Sequence, residues 1–271
     1  MPSPKQIQTS LSTLSSGPSL VVALIGATSG VGSYTARALA RTYATQGSKL
    51  RVYLVGRNAT RGAELLEYAH STSPGSEWRF LEVKDLSLMS EVDGVVRRIE
   101  EVERKEPFQG QARLDALWIS PALSPLQETW DKIKTVDAAI GTPAPGTYGV
   151  TAVRTNVVFM KTFMFEELAK QHAGKISFTH NFPGLVDGHA FYSDVNPWWA
   201  LLMWRILKPL LWWYLTPPDN ERGGGAYAVG QRGDAKGKVA YANIRKDDTA
   251  RRVWEHTMNV LEGIDKKNAA A

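Results

Sequence analysis

Four strand-like segments punctuate the first half of the chain: the apolar run Leu20–Ile25, then Leu50–Val55, Trp78–Val83 and Arg113–Ser120. Each is short enough for a buried strand. Between them the apolar residues change period. Ala36, Leu39, Ala40 and Tyr43 recur at helical spacing in a segment from Ser33 to about Thr45, a second helical segment runs from Thr60 to about His70, and Val92, Val95, Val96, Ile99 and Val102 make an apolar stripe over Leu88–Arg104. Strand and helix alternate, which predicts an α/β fold with helices laid on a parallel sheet. From Tyr148 onward Val150, Val153, Val157, Val158, Met160, Phe163, Met164, Phe165 and Leu168 predict a long helix, apolar around much of its girth. Lys175–Thr179 and Gly237–Ala242 read as further strands, a helix opens at Pro217-Pro218-Asp219-Asn220, and Asp247–Ile264 reads as a closing helix with Val253, Trp254, Met258 and Leu261 on its apolar face. The residues after Asp265 read as a frayed tail.

The first strand ends in Gly26-Ala27-Thr28-Ser29-Gly30-Val31-Gly32, immediately before a helix. A strand-to-helix turn of this kind suits a phosphate. Glycine lets the anion reach the backbone N–H groups, and the helix aims the positive end of its dipole at it. The Gly-x-x-x-Gly-x-Gly spacing differs from the commonest dinucleotide fingerprint, so an ordinary glycine-rich loop is the competing reading.

These residues resemble the first turn of the short-chain dehydrogenases/reductases, with Ile25 where that family usually has threonine. The resemblance runs from about Ser19 to the last helix, and Phe165-Glu166-Glu167-Leu168-Ala169, Asn181-Phe182-Pro183-Gly184-Leu185-Val186 and Trp254-Glu255-His256-Thr257 are similar to a divergent fungal branch found in secondary-metabolite pathways. It implies a Rossmann-like, doubly wound parallel sheet in one domain spanning 19–265, after a disordered Ser/Thr/Pro-rich tail at 1–18.

The resemblance also assigns a cofactor site. Gly26, Thr28, Ser29, Gly30, Val31 and Gly32 would cradle the pyrophosphate. An NAD enzyme places an acid at the end of the second strand for the ribose 2′-OH; here Gly56-Arg57-Asn58 stands there, with a guanidinium suited to a 2′-phosphate, and NADP is the favoured cofactor over a reading in which Arg57 is simply solvated. Asp85, with Leu86 beside it, takes the position of the acid that binds the adenine amino group, and Asp85 or Ser87 also suits the cap of the next helix. After the fourth strand the family's Asn-Asn-Ala-Gly is replaced by Ile119-Ser120-Pro121-Ala122, leaving the backbone at Ser120 to hold the ribose. Pro183, Gly184 and Val186 match the turn against the nicotinamide.

The catalytic region departs from the family. The stretch between Ala122 and Tyr148 is too short for the usual helix, strand and loop; a deletion and a skipped exon give the same gap. Ile133–Ile140 is either the remnant of the fifth strand or a short helix, and the strand is favoured because deleting it outright leaves neighbouring backbone unpaired. On that alignment the serine position holds Ala138. The resemblance makes Tyr148 the proton donor or acceptor, yet Ala152 replaces the lysine that lowers its pKa. Arg154 and Lys161 point away from that position on a helix.

Composition narrows the rest. The 271 residues are 43% hydrophobic, enough for one large core, and there is no cysteine, which excludes disulfides, thiolate zinc sites and a cysteine nucleophile. The five histidines lack paired metal-ligand spacing, so no metal is expected. A net charge of +5 suits an anionic cofactor or membrane surface, but the basic residues are dispersed and nucleic acid is a poor fit. Pro197–Leu215 holds Trp198, Trp199, Trp204, Trp212 and Trp213; Arg205, Lys208 and Pro209 in its middle argue against a span. It reads as part of a hydrophobic lid (190–218) over a small apolar metabolite, with peripheral membrane contact as the second reading. With no signal-peptide pattern at the start, the cytoplasm is the expected location. The resemblance implies pairing through the Tyr148 helix and the reduced helix before it, hence a weak homo-oligomer or a monomer.

Overall fold

A computed structural model describes residue 9 and residues 12–86, 88–121, 150–178, 180–181, 198–210, 228–229 and 248–269. The chain divides into two compact units, Met1–Leu126 with Gly184–Gly225, and Gln127–Pro183 with Ala226–Ala271.

The first unit carries the Rossmann-like sheet. Its strands are β1 (Leu20–Ile25), β2 (Leu50–Gly56), β3 (Glu77–Glu82) and β4 (Ala116–Ile119), all parallel in the order β3-β2-β1-β4. Helices α1 (Gly30–Thr42), α2 (Ala59–Thr72) and α3 (Met89–Lys105) make the crossovers. Period-two alternation along β1 and β2 divides their side chains between two cores. Val22, Leu24, Leu50, Val52 and Leu54 pack with Ala36, Ala40, Tyr43, Leu65 and Ala69 of the first two helices. Val21, Ala23, Tyr53 and Val55 pack on the other face with Val95, Ile99 and Phe108. Both faces of the central strands are therefore covered, which is why they read as continuous apolar runs.

Element boundaries shift from those expected by a few residues. The first helix begins at Gly30, inside the glycine turn, and ends at Thr42. The fourth strand contracts to Ala116–Ile119, because Arg113 and Asp115 serve as fasteners: Val21 N–H donates to Asp115 Oδ2 at 2.8 Å, and Arg113 donates to the Ser19 and Phe108 carbonyls. The expectation of disorder up to residue 18 fails for residues 12–18. Leu14 packs on the first core, its carbonyl accepts from Tyr43 OH at 3.3 Å, and Lys49 Nζ donates to Gly17 O at 3.0 Å.

Also in this unit is α5 (Trp198–Leu207), continued by a 3-10 turn at Lys208–Leu210. Its exposed apolar residues Trp198, Trp199, Leu202, Met203, Ile206 and Leu207 all fall on one half of the helix circumference, while Trp204 on the other half is buried.

The second unit pairs α4 (Val150–Gln171) with α6 (Thr249–Ala269) through Phe163, Ala250 and Val253, flanked by Met160 and Met164. The closing helix continues to Ala269, past the expected fraying point. Lys175–Ile176 carries no strand, contrary to expectation: a turn at 172–175 ends α4, Phe178 packs beside Phe165 with ring centroids 5.7 Å apart, and β5 (His180–Asn181) pairs antiparallel with β6 (Ala228–Val229). Ile133–Ile140, the helix at Pro217 and the strand at Gly237–Ala242 lie outside the described residues. No described helix is long and apolar enough to cross a membrane.

Candidate functional site

In the order β3-β2-β1-β4 the chain reverses direction across the sheet between β1 and β4, leaving a crevice at their carboxyl ends. The glycine turn lies there. Its frame is fixed by backbone: the N–H groups of Gly26 and Ala27 both donate to Val55 O, at 2.9 and 3.0 Å, tying the turn to the end of β2.

The three glycines have three different jobs. Gly26 has φ +83°, a left-handed conformation that makes the sharp exit from β1 without Cβ strain. Gly32 permits close packing: a Cβ there would stand 2.5 Å from Gly26 O and 2.6 Å from Ser120 Oγ. Gly30, with φ +53°, has no atom of the described residues within 4 Å of where its Cβ would be. A ligand can therefore approach the backbone at Gly30, whereas Gly26 and Gly32 hold the turn against the sheet. These roles match what a pyrophosphate turn requires of its glycines.

The helix that follows is open to an anion. Ser29 is the N-cap of α1 and makes no side-chain capping bond, and the first turn contains no acid. Among the described residues the N–H groups of Gly30, Val31 and Gly32 are thus left for an external acceptor.

Ser120 has a role the sequence did not disclose. Its hydroxyl donates toward Ile25 O at 3.1 Å and Gly26 O at 3.3 Å, and its N–H donates to Ile25 O at 3.0 Å. The side chain staples β4 to the exit of β1. Its only hint in the sequence is its place one residue beyond the apolar run of β4.

At the neighbouring strand end, Val83 N–H donates to Gly56 O at 3.1 Å. Arg57 is exposed and makes no hydrogen bond or ion pair among the described residues, which leaves its guanidinium available to a ligand. Asn58 is the N-cap of α2, its Oδ1 accepting from Arg61 N–H at 2.9 Å, so that side chain is engaged by the helix. Asp85 is exposed just beyond β3, while Leu86 packs into the second core. The N-cap residue of α3 is Leu88, which makes no side-chain capping bond, rather than Asp85, and Ser87 lies outside the described residues.

The structure thus brings Gly26, Thr28, Ser29, Gly30, Val31, Gly32, Arg57, Asn58, Asp85 and Ser120 to the carboxyl end of one sheet. Tyr148, Ala138, Pro183, Gly184 and Val186 lie outside the described residues. Ala152 is on the first turns of α4.

No family model matches the chain. It is 33% identical to the short-chain dehydrogenase/reductase SAT2 of Stachybotrys chartarum, over 99% of each chain. It is 22% identical to an oxidoreductase of Emericella nidulans, over 97% of this chain and 98% of the other. Among solved structures an actinorhodin polyketide ketoreductase with NADPH superposes with a TM-score of 0.50 at 19% identity, covering 79% of this chain and 92% of that one, a likeness of fold alone. The alignment with the Stachybotrys protein runs over 353 positions against 271 residues here, so that relative carries internal residues with no counterpart in this chain.

Proposed function

This chain belongs to the short-chain dehydrogenase/reductase family, and from that premise we propose that it is an NADP-dependent oxidoreductase acting on a hydroxyl or carbonyl group of a small apolar metabolite, in secondary-metabolite biosynthesis. The observation that carries the reading is the division of labour among Gly26, Gly30 and Gly32. Two of them hold the turn, and the third leaves its backbone open in front of an uncapped helix N-terminus. The residues present suit a dinucleotide: first-turn N–H groups for the pyrophosphate, Arg57 for a 2′-phosphate, and Asp85 for the adenine amino group. When bound, the nicotinamide supplies or takes up hydride at the substrate carbon.

The apolar half of α5 supports an apolar substrate, since an aromatic and aliphatic face suits a compound with few polar groups. The same face suits a membrane surface, and flotation with liposomes separates the two uses.

A second reading is favoured by the catalytic positions. Without the lysine at 152, a tyrosine at 148 is a poor base at neutral pH, which suits a non-redox enzyme or a binding protein on the same fold. Titration with NADPH and NADH, followed by the absorbance of NADPH during incubation with carbonyl compounds, tests both. Binding and oxidation support the first reading; binding with no turnover supports the second; no binding removes the dinucleotide site.

A further inference from the structure

Gly56 is the last residue of β2, paired with Glu82 at the end of β3, and its φ is not left-handed. Its conformation therefore does not require glycine; the space around it does. A Cβ at position 56 would run into the Thr28 side chain, meeting Cγ2 first, then Oγ1 at 2.7 Å and Cβ at 3.1 Å. Rotating Thr28 does not clear the position, because its own Cβ is among the atoms met and a β-branched side chain is stiff at χ1. Nor does either backbone have room to swing away. The turn is held to β2 through Gly26 and Ala27 on Val55 O, and β2 is held to the residue after β3 through Val83 N–H on Gly56 O.

Resting on the NADP reading above, we propose that Thr28 is a specificity-determining residue of this site. Its side chain fills the volume into which an acid at the end of β2 would project. The phosphate turn thereby excludes the carboxylate that would bind a free ribose 2′-OH, and the ribose edge is left facing Arg57. Discrimination against NADH then rests on the cation that attracts the 2′-phosphate and on the absence of an acid at position 56, whose side-chain space Thr28 occupies. The positions are coupled. Position 56 can accept an acid only when position 28 is small.

The test compares wild type, Gly56→Asp, Thr28→Ala and Thr28→Ala/Gly56→Asp, by thermal unfolding without nucleotide and by binding titrations with NADPH and NADH. Gly56→Asp alone should unfold about 5 °C lower than wild type, from forced overpacking, and bind both nucleotides poorly. The double variant should regain most of that loss and move the ratio of NADH to NADPH affinity by about tenfold or more toward NADH, the worth of one good polar contact. A Gly56→Asp protein that melts with wild type, or that gains NADH affinity as fully as the double variant does, overturns the proposal. Wild-type protein that binds neither nucleotide sinks the oxidoreductase reading and the cofactor half of this one, while the melting comparison still decides whether Thr28 holds the space.

Discussion

Arg51 Nη1 lies 2.8 Å from Glu103 Oε1, with both side chains almost wholly buried, and the pair fastens the end of α3 to the start of β2. Every other polar atom nearby is used. Arg51 also donates to Glu77 Oε2 and to Glu106 O, Tyr53 OH donates to Glu103 Oε1 at 2.6 Å, and the guanidinium lies over the Phe108 ring. Breaking such a pair from one side leaves a buried charge without its partner. Glu103→Ala should therefore lose about 3–5 kcal/mol in urea unfolding, whereas Glu103→Gln, which keeps a hydrogen-bond acceptor, should lose about 1–3 kcal/mol. Equal losses from the two would mean that charge does not matter there.

The same cluster gives the fold an alkaline limit. Burial, then the hydrogen bond to the Glu103 carboxylate, pushes the Tyr53 hydroxyl well above the usual range of a phenol, and burial with the nearby Asp115 carboxylate raises Tyr43. A folded-state pKa above the unfolded value means stability that is complete below about pH 10 and declines as pH rises further, because only the unfolded chain ionises readily. Tyr53→Phe should flatten that decline. The check is a series of unfolding midpoints from neutral pH upward, with the tyrosinate absorption band of the folded protein staying silent for Tyr53 until unfolding; early ionisation in the native state would contradict it.

How much of this was legible beforehand depends on how local the cause is. β1 and β2 are covered on both faces, so their apolar runs marked them almost to the residue, and the glycine turn lies between strand and helix as its sequence context indicated. The burial of Glu103 was not legible from the apolar stripe of α3. Glu103 follows Ile99 by four residues and so lies on the stripe itself, but its burial is made tolerable by Arg51 and Tyr53, both distant in the sequence. Ser120 and the contact of Gly56 with Thr28 join residues that are neighbours only once the sheet has formed. The strand expected at 175–179 failed because a short apolar run carries no period able to distinguish a strand from packed coil, and here Phe178 is held by Phe165.

Two glycines in the turn should respond differently to the same substitution. Gly32→Ala places a methyl against backbone, so it should destabilise the fold by about 1–3 kcal/mol and weaken nucleotide binding at the same time. Gly30→Ala meets no atom of the described residues, and its left-handed φ should limit the loss of stability to about 1–2 kcal/mol. Its methyl would instead occupy the space a pyrophosphate needs. Thermal unfolding beside NADPH titration separates the cases, and a Gly30→Ala protein that binds NADPH as wild type does would remove Gly30 from the site.

Arg57 should matter for one nucleotide and not the other. Free of protein partners among the described residues, it is not needed to hold the fold, so Arg57→Ala should leave the unfolding midpoint within about 0.5 kcal/mol of wild type. A charge-assisted contact to a 2′-phosphate is worth about 1.5–3 kcal/mol, or roughly ten- to a hundredfold in affinity. NADPH binding should weaken by that factor with NADH binding unchanged. Equal losses for the two would remove the argument for NADP.

The last expectation concerns the missing lysine. Ala152 lies four residues beyond Tyr148 in the sequence, the position at which the family's lysine lowers the tyrosine pKa. A phenol titrating near 10 is protonated almost completely at neutral pH, so it can donate a proton in carbonyl reduction but is a weak base in the reverse direction. Slow turnover in the oxidising direction should follow, with a rate that climbs steadily with pH. Ala152→Lys should raise kcat at neutral pH by about 10²-fold, within the range of a well-tuned acid–base group, and move the rise to lower pH. The gain should vanish in Ala152→Lys/Tyr148→Phe while NADPH binding persists. A double variant as active as Ala152→Lys alone would show that Tyr148 does not handle the proton, and the search for the acid would turn to other residues.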